Sequence, residues 1–297
     1  MLINSANLDH LRIGFTTAFQ AGLSQAPSQH KRITTTFRST TAMNDYGWLG
    51  DLPGMREWTG PRVIHSLKQY NYRVENKSWE ETIGVNRDHI EDDNLGIYAP
   101  RFTAMGQAVG SSFDTLSFAL LKAGFATACY DGQYFFDTDH PVLDENGAPQ
   151  SVANTDGGAG TPWFLIDSKK PINPVILQIR KDAQFVTKDD PRDDRVFMNK
   201  EFLYGADGRW NVGFSFWQWS WGSKQTLNAA NYAIARAALA GMKGDYGRPI
   251  GVTPDLLIVP PSLESAARKL LNSENAAGGE TNEWKGTAEL LVVPWLA

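Results

Sequence analysis

Between Cys129 and His140 the sequence reads CYDGQYFFDTDH, which crowds a thiol, three carboxylates and an imidazole into one short stretch. Asp137, Asp139 and His140, with Asp131 close by, are the donor types of a metal or acid–base site. The pattern D-x-D-H is short, however, and lacks the two histidines on one helix face that H-E-x-x-H provides. Asp139-His140-Pro141 equally suits a turn, in which Asp bonds its own backbone and Pro fixes φ. The turn is the favoured reading, and a metal-dependent hydrolase centred on Asp137, Asp139 and His140 is the alternative from a different class. Glu91, Asp92 and Asp93 could pair carboxylates for proton transfer, but solvated residues leading into a helix account for them more simply. Cys129 reads as a small buried hydrophobe. His10, His30, His65 and His89 are scattered among polar neighbours. No P-loop, strand–GxGxxG–helix unit or G-x-S-x-G elbow occurs. No catalytic residue, cofactor or bound metal is therefore expected.

The elements that must position these residues begin with an amphipathic helix. Leu8, Leu11, Phe15, Phe19 and Leu23 recur at spacings of three and four. The following SQAPSQHKRITTTFRSTTAMNDY has no helical period and reads as an extended arm with little to pack on in its own subunit. Gly and Pro punctuate the next segment up to Pro61. Tyr70, Tyr72 and Val74, then Trp79, Glu81, Ile83 and Val85, alternate with polar residues on either side of a polar ENKS turn, as in a long two-stranded excursion. Such a ribbon is marginal by itself. A long helix follows, with Phe102, Met105, Val109, Phe113, Leu116 and Leu120 in register and Gly124 as its stop. Glu91, Asp92 and Asp93 precede it, where they suit the positive end of its dipole. Gly106 and Gly110, one turn apart, cost helix stability and imply a close backbone crossing or a bend. Beyond the glycine-rich NTDGGAGTP joint the chain turns to β. ADG followed by RWNVGFSFWQWSW gives a hairpin signal, with Trp217, Trp219 and Trp221 on one strand face and Phe214 and Phe216 on the other. A helix capped by Asn228 or Thr226 and stopped by Gly241, then a strand, helix and strand, complete the chain.

With 297 residues, 42% hydrophobic and 21% charged, the chain can bury a substantial core. No apolar run approaches the roughly 18 residues of a membrane span, and the start lacks the pattern of a secretory signal, so synthesis in the cytoplasm is expected. One cysteine forbids an intrachain disulfide. A net charge of −5 argues against a dedicated nucleic-acid binder, whose affinity comes from Lys and Arg on phosphates. Ten tryptophans are unusual and suit large contact surfaces. An arm, an aromatic ribbon and a tryptophan-bearing strand are more apolar surface than one subunit can hide, which points to repeated contact between copies of the same chain.

Five blocks, YGWLGDLPGMREWTG, VNRDHIEDDNLGIYAP, LLKAGFATACYDGQYFFDTDHPV, FMNKEFLYG and GTAELLVVPWLA, together resemble the major head subunit of Mu-like phages and prophages, the gpT family. They are spread over nearly the whole chain, and the set is specific although each block is weak. The resemblance implies an α+β Hong-Kong-97-type capsid fold: an N-terminal arm (1–44), an E-loop (45–88), the spine helix of a P-domain (89–124), a P-to-A connection (125–162), a β-rich P-domain segment (163–222) and an A-domain (223–297). Placing 163–222 ahead of the final A-domain stretch requires a permuted strand order.

The resemblance further implies self-assembly into pentamers and hexamers of an icosahedral shell around double-stranded DNA held without sequence-specific binding, in a virion. Scaffold, portal and decoration proteins are the expected partners, with no membrane involvement. An encapsulin-like nanocompartment is the alternative use of the same fold. For contacts between subunits the expected residues are Arg56, Trp58, Arg62, Lys68, Tyr70, Tyr72 and Trp79 of the E-loop, laid across a neighbour's P-domain, with Glu91, Asp92 and Asp93 of that neighbour as acidic acceptors.

Overall fold

A computed structural model describes residues 5–50, 71–92, 96–190, 192–276 and 278–297. In chain order its elements are α1 (Ser5–Gln25), β1 (Thr34–Arg38), β2 (Met43–Asp45), β3 (Arg73–Glu75), β4 (Lys77–Asn86), α2 (Arg87–Asp92), α3 (Ala99–Ala123), β5 (His140–Leu143), β6 (Pro149–Val152), β7 (Thr155–Gly158), β8 (Trp163–Ile166), β9 (Val175–Lys188), α4 (Asp194–Asn199), β10 (Glu201–Phe214), β11 (Ser220–Lys224), α5 (Ala229–Ala240), β12 (Leu256–Val259), α6 (Glu264–Asn272) and β13 (Glu289–Val292). They form a four-stranded sheet in the order β1-β9-β10-β4 and a five-stranded sheet in the order β13-β12-β8-β11-β7. Two small hairpin-like pairs, β2-β3 and β5-β6, complete the strands. None of the described helices is long and apolar enough to cross a membrane.

The apolar stripe of α1 does what its spacing dictates. Leu8, Phe15 and Phe19 are buried, with Phe15 packed on Phe102 at 4.2 Å and on Tyr204 at 5.2 Å between ring centroids. The helix lies across α3 so closely that side chains are excluded. A Cβ added at Gly106 would sit 2.1 Å from the Phe19 carbonyl oxygen, and one at Gly22 1.9 Å from that of Thr103. At Gly110 it would meet Ala26 Cβ at 2.2 Å. Of the crossing or bend that their spacing allows, Gly106 and Gly110 thus mark a crossing, and Gly22 on the partner helix completes it.

The long helix begins later than its pattern implies. Pro100 sits in its first turn, where no backbone donor is needed, and the chain before it forms the separate short helix α2. Glu91 and Asp92 therefore end α2 instead of leading into α3, whose first turn has no acidic residue. Asp93 lies outside the described residues.

β9 and β10 are antiparallel strands of 14 residues each. The expected hairpin at Ala206-Asp207-Gly208 is not formed. Those residues lie within β10, where the register with β9 shifts at Asp207–Trp210, as in a β-bulge; the reversal occurs instead around α4. The expected tryptophan face is also replaced. The chain leaves β10 at Phe214, makes a tight helical turn at Trp217–Trp219 and enters the other sheet as β11, and Trp217, Trp219 and Trp221 are all buried. A segment passing between two sheets is covered on every side, so period-two alternation has no meaning there. Segment 163–222 accordingly divides, with β8 and β11 in the five-stranded sheet and β9 and β10 in the four-stranded one.

The Thr- and Ser-rich arm does pack within its own subunit, contrary to expectation. β1 adds in parallel to the edge of β9, pairing Thr34 with Val175 through Arg38 with Ile179, and Ile33 and Thr34 are buried. Its β-branched Thr34-Thr35-Thr36 run suits a strand, and the open edge of β9 supplies the partner. The ENKS stretch does not reverse the chain into a two-stranded ribbon: β3 ends at Glu75 and pairs with β2, and β4 begins at Lys77 and pairs with β10. At the C-terminal end the expected strand–helix–strand is present, with α6 packed on the parallel pair β12–β13. Asn228 caps α5 by accepting the Asn231 N–H at 2.9 Å, and Gly241 ends it.

Two substitutions test this framework in the unassembled subunit. Gly106→Ala should cost about 1–3 kcal/mol of unfolding free energy in urea, because the Phe19 backbone must move; an unchanged midpoint would contradict the close crossing. Asn228→Ala should cost about 1 kcal/mol through the lost cap.

Candidate functional site

The described residues on either side of the segment expected to reach a neighbouring subunit form a tightly held root. Leu49 and Tyr46 are buried on the outgoing side, and β2 pairs antiparallel with β3 on the return. Tyr46 donates its hydroxyl to Gln178 Oε1 at 2.8 Å, and Gln178 Nε2 donates to the Val74 carbonyl at 3.0 Å and to Asn76 Oδ1 at 2.9 Å. The Phe214 N–H donates to the Tyr72 hydroxyl oxygen at 2.6 Å, and burial pushes the pKa of that hydroxyl up to about 12. These bonds anchor the root to β9 and to the end of β10.

Tyr72 and Trp79 therefore already have partners in their own chain. Trp79 donates its indole N–H to the Trp210 carbonyl at 2.9 Å and stacks on the Trp210 ring at 6.4 Å and 16°. Among the proposed acceptors, Glu91 is paired with Arg87 at 3.0 Å, and Asp92 is exposed on the end of α2. Arg56, Trp58, Arg62, Lys68, Tyr70 and Asp93 lie outside the described residues.

The structure adds surface that the sequence pattern does not reveal. Phe197 and Met198 on α4, at the tip of the β9–β10 hairpin, are 78% and 75% exposed. Their VFMN context between charged residues resembles any short amphipathic turn, so nothing in the sequence singles them out.

Within the stretch from Cys129 to His140, the side chains of Cys129, Asp131 and His140 form a buried polar knot. Asp137 accepts the N–H groups of Thr138 at 2.7 Å and Tyr134 at 3.2 Å, so it shapes a turn. Asp139 points to solvent, while His140, the next residue, is fully buried at the start of β5. Adjacent residues of an extended chain face opposite ways, so Asp137, Asp139 and His140 do not converge, which removes the geometric basis of the hydrolase reading. The inward partner is Asp131 instead. Its carboxylate lies 2.7 Å from His140 Nδ1 and accepts from Cys129 Sγ at 3.0 Å. Burial works to raise the Asp131 pKa, but the hydrogen bond and charge of His140 outweigh it and hold the carboxyl below its usual range. Burial, then the Asp131 charge, pushes the Cys129 thiol up. Cys129 is thus buried as expected, but it is a hydrogen-bonding group and not merely apolar filler.

A second buried pair was not foreshadowed by its polar sequence context. His30 directs both its backbone N–H, at 2.6 Å, and its ring Nδ1, at 2.7 Å, to Asp114 Oδ1 on α3. This pair fastens the arm to the long helix just before β1. Both clusters tie separate stretches of the chain together inside the body.

Comparison with known proteins shows the family and the fold. The family described as Mu-like prophage major head subunit gpT matches residues 8–296. The major capsid protein of Escherichia phage Mu is 40% identical over 305 residues, covering 100% of both chains. The Mu-like prophage FluMu major head subunit of Haemophilus influenzae is 44% identical over 271 residues, covering 89% of this chain and 88% of that one. Among solved structures, a chain of the procapsid of bacteriophage JBD30 superimposes with a TM-score of 0.89 at 42% identity, covering 99% of this chain and 100% of that one. An arm strand, a long helix, paired 14-residue strands and a second sheet are thus shared with a subunit of an assembled shell, and the chain belongs to the Mu-like prophage major head subunit (gpT) family.

Proposed function

We propose that this head subunit closes into an icosahedral shell of pentamers and hexamers, around double-stranded DNA, by projecting residues 51–70 onto the neighbouring copy. The role as a Mu-like major capsid protein is structural and not catalytic. The observation that carries the finer reading is the anchored root. Tyr46, Leu49, Tyr72 and Val74 are fixed to the body, and between them runs a stretch holding Arg56, Trp58, Arg62, Lys68 and Tyr70.

In this arrangement the four-stranded sheet with α3 corresponds to the P-domain, and the five-stranded sheet with α5 and α6 to the A-domain around each capsomer axis. The expected 163–222 boundary then becomes a P-domain hairpin of β9 and β10 inserted between A-domain strands β8 and β11. Trp58 and Tyr70 are the apolar anchors against a neighbour, at about 25 cal/mol per Å² removed from water. Tyr72 and Trp79 hold the root. Arg56, Arg62 and Lys68 face acidic groups of the neighbour, Asp92 and Asp93 among them, each exposed pair contributing only about 0–1 kcal/mol. Repetition of modest contacts around a closed shell supplies the avidity.

Assembly takes place in the host cytoplasm, with scaffold, portal and decoration proteins as further partners. An acidic subunit, at net charge −5, encloses DNA without attracting its phosphates. Nucleic acid and not a protein cargo inside purified particles distinguishes this reading from a nanocompartment.

Trp58→Ala should abolish particles in electron micrographs, whereas Lys68→Ala should reduce their yield only modestly; normal particles from both variants would refute the assigned ranking. Tyr72→Phe should lower the stability of the lone subunit by about 1–3 kcal/mol, since the Phe214 N–H loses its acceptor, which chemical denaturation measures.

A further inference from the structure

Shell building leaves one group of side chains without an assigned task. Cys129, Asp131 and His140 each offer a ligand atom, and these atoms lie within 4.8 Å of one another. Cys129 and His140 are buried, and the Asp131 carboxylate is 3% exposed. The donors are a sulfur, an imidazole nitrogen and a carboxylate oxygen, a set suited to Zn²⁺; Mg²⁺ and Ca²⁺ favour all-oxygen surroundings.

The residues behind the donors favour the same reading. His140 Nε2 faces Asn154 Oδ1 at 3.2 Å. Asn154 is oriented by its own Nδ2, which donates to the Phe135 carbonyl at 2.8 Å, and its Oδ1 also accepts the Asp137 N–H at 2.9 Å. The Asn154 oxygen therefore faces the ring, and Nε2 carries the hydrogen. Nδ1 is left as the nitrogen aimed at Asp131 and Cys129. A ligating histidine characteristically donates its other ring N–H to such an acceptor, which fixes both tautomer and orientation. Trp217, stacked on the imidazole at 3.9 Å and 10°, fixes the ring plane, and the Gln133 N–H holds Asp131 Oδ1 at 3.1 Å. A thiolate and a carboxylate together balance a dication, so the filled site buries no net charge.

We propose that Cys129, Asp131 and His140 form a Zn²⁺ site that staples the turn-rich chain after α3 to the start of β5. Water or the second Asp131 oxygen completes the coordination. On binding, the Cys129 S–H bond breaks, a sulfur–metal bond forms and the proton passes to solvent; any hydrogen on His140 Nδ1 leaves likewise. Affinity consequently falls as pH falls. Without metal, those protons occupy the same positions and give the hydrogen-bonded cluster described above.

The test uses the full-length protein, stripped with chelator and titrated with Co²⁺ alone and with Zn²⁺ alone. The expected result is one ion per subunit, a thiolate-to-cobalt charge-transfer band with tetrahedral d–d bands, and a Zn²⁺-dependent rise in melting temperature. Cys129→Ser should abolish the band and the rise, whereas Asp137→Asn with Asp139→Asn should keep both. Absence of bound metal and of the band in the wild-type protein overturns the proposal, and so does a band that persists in Cys129→Ser. Because metal binding is read on the subunit itself, failure here leaves the assembly reading intact, and failure of assembly leaves this one intact.

Discussion

A strand that is buried on both faces for its first five residues and on only one face thereafter must be covered twice at one end, and β9 imposes this requirement on the subunit. Val175–Ile179 are enclosed from both sides, while from Arg180 onward exposed and half-buried residues alternate. β10 pairs with it along nearly its whole length. The helix pair covers the far half, where Phe19, Phe102, Phe185 and Tyr204 meet. At the near end the chain passes into the five-stranded sheet through Phe214, Phe216 and Trp217, and Phe135 stacks on Phe214 at 4.1 Å. Arm strand, helix crossing and excursion root are all fitted to this one hairpin.

The helix crossing illustrates how such a demand reaches individual residues. α1 and α3 can both reach the sheet where their backbones nearly touch, so positions 22, 106 and 110 must lack a side chain. Glycine inside a helix costs roughly 1 kcal/mol relative to alanine, a cost offset by the aromatic packing that the close approach permits. The same logic applies to polar groups. Asp114 is fully buried on α3, where an unpaired carboxylate would be prohibitive, and His30 supplies two donors to it. Burying Asp131 likewise requires the partners that Cys129 and His140 provide.

For a shell protein the division of labour follows. Contacts within the subunit are dense and directional around the long hairpin, so the body is rigid. Tyr46, Leu49 and Tyr72 are fixed to that body on either side of residues 51–70, and α4 exposes Phe197 and Met198 at the hairpin's end. Apolar surface left outside a well-packed body is what a subunit needs to join many copies of itself. The net charge of −5 is compatible with this, because burial of apolar surface does not depend on net positive charge.

Local periodicity determined a good part of the structure. The stripe from Leu8 to Leu23, the long helix ending at Gly124, the cap at Asn228 and the final strand–helix–strand were all legible, because each depends on residues a few positions apart. The glycines at 106 and 110 announced a crossing or a bend; the structure decided for the crossing and supplied its partner at Gly22. Whatever depended on distant segments was decided by the tertiary structure alone. β1 needed the free edge of β9 before its threonines could count as a strand. Asp207-Gly208 looked like a reversal until β9 and β4 held it inside β10, and the three tryptophans lost their shared face because the chain changes sheets there. Asp131, not the adjacent Asp139, became the partner of His140 because β5 turns one side chain inward and its neighbour out. Spacing along a chain fixes which residues share a face, whereas the surroundings of that face come from distant elements, as when β1 pairs with β9 from Thr34 to Val175.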